Sequence, residues 1–148
     1  MPIITEISAK RASDLPIVWV KVDRHTLEKR RWRVQAEDGV DIAVDLGVPC
    51  SHGDILGEIE GKTYVVEQAP EAIIIIPLSS HPMEAARLGW FLGNQHLPVE
   101  IENGTIRLVA NAHLKGLLER QGIGFQLTEG VIAPDPHSKG GHHHHSHE

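Results

Sequence analysis

The feature that most limits the fold is a change of rhythm at Pro70. Before it, short alternating or β-branched segments at 17–22, 31–35, 40–46, 55–60 and 63–67 are separated by turn residues. Those turns are Asp38-Gly39, the 47–49 stretch, His52-Gly53-Asp54 and Gly61-Lys62. This pattern predicts strands joined by tight turns and carries no helical period. After Pro70 the order changes. The run 72–76 reads as a strand buried on both faces. Ser80 and Pro82 open a helix through Met83, Ala86, Trp90 and Phe91, and Gly93-Asn94 supplies a left-handed stop. A hairpin follows at 99–101 and 105–109 around Asn103-Gly104. Asn111 caps a second helix that carries Leu114, Leu117 and Leu118 on one face, and 123–127 is a last strand. The predicted fold class is therefore α+β. A small all-β domain at 1–70 precedes a ferredoxin-like βαββαβ domain at 71–133 and a disordered His-rich tail at 134–148.

Charge and composition exclude several functions. Residues 1–70 hold 9 Lys/Arg against 12 Asp/Glu and residues 71–148 hold 5 against 8, which sums to the net charge of -6. No broad basic face is left for nucleic acid. The basic cluster of Lys21, Arg24, Lys29, Arg30, Arg31 and Arg33 is interrupted by Asp23 and Glu28, and reads either as a solvated hairpin face or as a docking face for an acidic protein. Cys50 is the single cysteine, so no internal disulfide forms. The longest apolar run, 72–76, is far below the roughly 20 residues that cross a bilayer, and the first residues have no signal-peptide pattern. The expected location is the cytoplasm, away from membranes.

The chemistry is concentrated in histidine. Six of the eleven histidines fall in the last 12 residues: His137, His142, His143, His144, His145 and His147. Neutral imidazole is a strong ligand for nickel, copper and zinc, and an unperturbed ring, with a pKa of about 6.5, is mostly neutral near pH 7.5. A purification tag would bind the same ions, but this run is broken by Ser146, ends in Glu148 and leaves His137 outside it. A second histidine, His96, sits in Leu92-Gly93-Asn94-Gln95-His96-Leu97-Pro98, where turn residues and a proline fix the corner. One imidazole per chain cannot close a metal shell. A two-fold axis that pairs two His96 rings, completed by His137 or by the tail, can.

The strings Glu84-Ala85-Ala86-Arg87-Leu88-Gly89-Trp90 and Leu92-Gly93-Asn94-Gln95-His96, the Gly53-Asp54-Ile55-Leu56 turn and the histidine-rich end together resemble the urease accessory metallochaperones of the UreE type. The resemblance runs over nearly the whole chain. It implies a homodimer with an N-terminal domain similar to a chaperone peptide-binding module. It also implies a C-terminal ferredoxin-like domain whose corner histidine, here His96, binds nickel at the dimer interface. Further ligands would come from the C-terminal extension, here His137, His142, His143, His144, His145 and His147. Members of the family deliver nickel to apo-urease through a complex with the accessory GTPase. Three positions depart from the pattern. Gln95 stands where arginine is common, Asn111 where the helix often opens with aspartate, and Val109-Ala110 where some members carry a histidine pair.

The remaining candidates read as structural. His113 falls in a first helical turn, His25 in a turn and His81 at a helix start, while Cys50-Ser51-His52 has too few ligands for a metal shell. No nucleophile elbow or His-Glu-x-x-His motif is present, so an enzyme is not expected. The competing functions are storage or buffering of nickel or zinc, and a peptide-binding module with an incidental metal tail.

Overall fold

The computed structural model describes residues 1–8 and 14–135. The chain divides into two compact units, Met1–Ala69 and Pro70–Glu148.

In the first unit the strands are β1 (Ile3–Ile4), β2 (Ile17–Val22), β3 (Arg31–Gln35), β4 (Asp41–Asp45), β5 (Ile55–Ile59) and β6 (Lys62–Gln68). They form two three-stranded sheets, β1-β4-β3 and β2-β6-β5, with β1 parallel to β4 and β2 parallel to β6. Alternation puts Val18, Val20 and Val22 of β2 inside, where they join Trp32, Ile42, Val44, Leu56, Tyr64 and Val66 in one apolar cluster. The five expected strands form, with two additions: β1, which pairs in parallel with β4, and one helical turn. Arg24–Leu27 forms a one-turn helix, α1, capped by Asp23, whose carboxylate accepts from the Thr26 amide and hydroxyl, both at 2.9 Å. A single turn is too short to show a period, so only the Asp-x-x-Thr spacing could have revealed it.

The second unit contains β7 (Glu71–Pro77), α2 (Pro82–Gly93), β8 (Glu100–Glu102), β9 (Thr105–Val109), α3 (Ala112–Arg120) and β10 (Gln126–Gly130). The sheet order is β10-β7-β9-β8 and every neighbouring pair is antiparallel. In strand number within the unit this is 4-1-3-2, the split βαβ arrangement. Ile74 and Ile76 of β7, Ile106 and Leu108 of β9, Leu92 of α2, and Leu114 and Leu118 of α3 form its core.

Three differences from the sequence expectation go beyond one-residue shifts at strand ends. The cap of α2 is His81 rather than Ser80, and it makes no side-chain cap bond. Ser79 takes over the local bonding by accepting the His81 amide at 3.0 Å and donating to Glu84 at 2.6 Å. The last strand starts at Gln126, not at residue 123. Ile123 instead belongs to the end of α3, where its amide donates to the Leu118 carbonyl at 2.9 Å past Gly122 at φ 69°. Ile123 and Phe125 pack on the core as part of that cap, so their apolarity records a helix end and not a strand. Finally, the described chain continues past 133, with Pro134 buried and the Asp135 amide bonded to the Val99 carbonyl at 2.7 Å.

Candidate metal centre

His96 is placed by the end of α2. The amides of Asn94, Gln95 and His96 donate to the carbonyls of Trp90, Leu92 and Gly93 at 3.1, 3.0 and 3.1 Å, so the helix tightens through its last residues before it stops. The Gln95 side chain adds a bond to the Phe91 carbonyl at 3.3 Å. The left-handed residue that ends this run is His96 itself, at φ 56°, whereas Asn94 is right-handed at φ -69°. The stop expected at Gly93-Asn94 therefore lies two residues further on. Histidine is one of the few L residues enriched in this conformation. On either side, Leu92 is buried and Leu97 and Val99 pack against the core. The backbone is thus anchored before and after an imidazole that is exposed to solvent.

The same helix exposes an apolar face. Met83, Ala86 and Trp90, spaced three and four apart, fall on one side, with Met83 57% and Trp90 72% exposed. The core side is carried by Leu88, Phe91 and Leu92. An exposed tryptophan on the last turns of a helix, close in sequence to an exposed histidine, is the feature that sequence reasoning missed. The sequence carries only a partial signal, because apolar residues on α2 occupy more of the circumference than one buried face needs, and that pattern fits a fully buried helix equally well.

Among the described residues no three His, Cys, Asp or Glu side chains come together as a metal-binding group. His137, His142, His143, His144, His145 and His147 lie outside the described residues. The other histidines are dispersed. His52 is tied into its turn, its Nδ1 accepting the Gln68 amide at 3.0 Å. His25 lies 3.5 Å from the Arg24 guanidinium. His81, the cap of α2, and His113, in the first turn of α3, are both exposed. In the basic cluster, Arg24 pairs with Glu28 and Arg31 with Asp45.

Cys50 is buried, and burial, with a smaller contribution from the Asp54 carboxylate, pushes its thiol up to about 11. A thiol held protonated is a poor nucleophile and a poor metal ligand. Tyr64 shifts the same way, to about 12, because its hydroxyl donates to Asp38 at 2.6 Å and is shielded from water. Both folded groups keep protons that the unfolded chain releases first. Their stabilisation is present below the ordinary value of 9.0 for the thiol and is lost as pH rises towards about 11, with Tyr64 following from 10.0 towards about 12. Urea midpoints are accordingly expected to be level from pH 7 to 8.5 and to drop steadily between pH 9 and 11. Alkylation of Cys50 at pH 8 should be slow until urea unfolds the chain, and rapid labelling of the folded protein would contradict this placement.

The family model for the C-terminal domain of the UreE urease accessory protein matches residues 71–148, just over half of the chain. The chain belongs to the UreE family. Proteins named urease accessory protein UreE match most of its length. The one from Burkholderia ambifaria is 32% identical over 122 residues, covering 81% of this chain and 60% of that protein. Those from Lysinibacillus sphaericus and Bacillus cereus are 32% and 31% identical over 114 and 127 residues, covering 75% and 84% of this chain and 76% and 83% of theirs. The chain thus spans about three fifths of the length of the Burkholderia UreE proteins it matches. Among the described residues of this UreE-family chain, no helix is long and apolar enough to cross a membrane.

Proposed function

We propose that this chain is a nickel chaperone of urease maturation. Two copies would carry Ni2+ as cargo between their His96 rings and hand it to apo-urease through the assembly complex that contains the accessory GTPase. The observation that carries this reading is the exposed imidazole on a backbone corner fixed from both sides, a few residues after α2, the helix that exposes the apolar face of Met83, Ala86 and Trp90. Large apolar residues left open on a helix mark an association surface, and an isologous contact through that face brings the two His96 rings together. His137, His142, His143, His144, His145 and His147 of the histidine-rich C-terminal end complete the coordination. The strand-rich first unit acts as the partner-binding module, and the protein works in the cytoplasm.

The chemistry suits transfer more than storage. A site with two fixed imidazoles and otherwise recruited ligands leaves positions open for an acceptor to enter. Affinity alone does not select nickel, because copper binds the same imidazoles more tightly and zinc also binds them, so selection comes from metal supply and from the partner. Metal binding needs deprotonated rings and releases protons, hence occupancy falls as the pH is lowered.

Titration of the full chain with Ni2+ by calorimetry, with mass measured by light scattering, is expected to give one tight ion per two chains followed by weaker binding. Truncation after Pro136 should lower the total count and keep the dimer. A tight stoichiometry of one ion per monomer, or a protein that stays monomeric when metal-loaded, would overturn the proposal. A chain that binds nickel but never activates apo-urease in the presence of the accessory proteins would be a buffer instead.

A further inference from the structure

The chain leaves β10 at Gly130, whose register partner is Glu71, the first residue of β7. β10 is one edge of the four-stranded sheet and β8 is the other. Only five residues later, the Asp135 amide donates at 2.7 Å to the carbonyl of Val99, immediately before β8. The start of β7, the end of β9 and the start of β8 share one end of the sheet, because β7–β9 and β8–β9 are antiparallel. Residues 131–135 therefore cross that end from edge to edge. Three strand spacings amount to about 14 Å and five extended residues to about 17 Å, so the crossing is close to taut.

The crossing is also held down along its length. A side chain at Gly130 would sit 3.3 Å from Ile73 Cδ1 and 3.4 Å from Arg107 Nη2, so the strand presses close against its neighbours as it ends. Ile132 has no exposed surface, and Pro134 is buried. Chain with no role beyond linking to a tail has no reason to bury an isoleucine and a proline and to close on a backbone bond at the opposite edge. Val99, where it closes, is three residues after His96, a span of at most about 11 Å.

We propose that residues 131–135 are a strap that roots the histidine-rich end beside the His96 corner, with Ile132 and the Asp135–Val99 bond as its positioning elements. This rests on the reading of His96 as a nickel ligand and adds how the further histidines reach it. Without the strap the end would start from the β10 edge, across the full width of the sheet. With it, His137 is two residues from an anchor at the corner. Tethering raises the local concentration of a ligand, and that concentration falls roughly as the −3/2 power of leash length once the leash spans the gap.

The test lengthens the leash and leaves the strap alone. Ten Gly/Ser residues inserted between Asp135 and Pro136 of the full chain keep every histidine but extend the path to His137 about sixfold. Tight-site affinity for Ni2+ should then drop about tenfold, with the weak sites unaltered in number. A second readout needs no metal. The Asp135 amide should exchange slowly with solvent in the intact protein, faster by about 100-fold in Ile132→Ser, and again slowly in Ile132→Val. Nickel affinity within twofold of the parent after insertion, with His96→Ala still abolishing the tight site, would overturn the strap and leave the His96 reading standing. If His96→Ala keeps the tight site, it is the underlying reading that fails. Unprotected exchange of Asp135 in the intact chain overturns the strap whatever the metal does.

Discussion

Replacing His96 with alanine is expected to remove the tight nickel equivalent, and replacing it with glycine should do the same while leaving a more stable protein. Each substitution takes two imidazoles from a paired site. Since groups that merely orient a metal ligand change affinity 10- to 100-fold, loss of the ligands themselves should weaken the tight site by about 100-fold or more. The two variants differ in the backbone. At φ 56° an alanine keeps the strain of a left-handed L residue, which costs about 1–2 kcal/mol, and glycine removes it at a smaller entropic cost. His96→Gly should therefore exceed His96→Ala by about 1 kcal/mol, or about 4 °C in melting temperature. Calorimetry with Ni2+ and thermal melts of the two apo-proteins check both halves. Tight binding retained in either variant would refute the paired site, and an alanine variant that melts higher than the glycine one would refute the left-handed corner.

The second large effect is expected from Trp90→Glu, which leaves every histidine in place. Trp90 is 72% exposed in the single chain, so its replacement should leave folding stability nearly unchanged. In an isologous contact it counts twice. A buried interface tryptophan typically contributes 2 kcal/mol or more, so the pair amounts to about 4 kcal/mol, and dimerisation should weaken by roughly three orders of magnitude. Sedimentation at micromolar concentration should then show monomers, and the tight nickel site should vanish together with the dimer. A Trp90→Glu protein that remains dimeric places the axis elsewhere. One that turns monomeric yet still binds tightly disproves the link between symmetry and the metal.

Much of this architecture could be read from spacing alone, because the residues that carry it follow local rules. The strands 17–22, 31–35 and 105–109 form with the predicted ends. Asn111 caps α3 through a 2.7 Å bond from the Leu114 amide. Local rules misled where one residue type serves two purposes. Ile123 and Phe125 look like strand residues but seal a helix end. Gly93 and Asn94 look like the left-handed stop, yet both stay right-handed or helical and the turn falls on His96. At the candidate site, His96 was identifiable as a residue on a rigid corner. Its neighbour Trp90 was not identifiable as a surface residue, since a helix with apolar residues on two sides cannot be told from a fully buried one until the second side is found open. The crossing at 131–135 was out of reach for another reason. Its closure depends on Val99, more than thirty residues away, and no periodicity connects the two.

The conformation of residue 96 also shapes what can replace it over time. A left-handed position admits glycine, asparagine, aspartate and histidine at little strain and resists most other side chains. Only one of those four offers an imidazole. A lineage that lost its need for the metal could drift there to asparagine or glycine with its architecture intact, so at this position inherited shape and inherited cargo are free to part company.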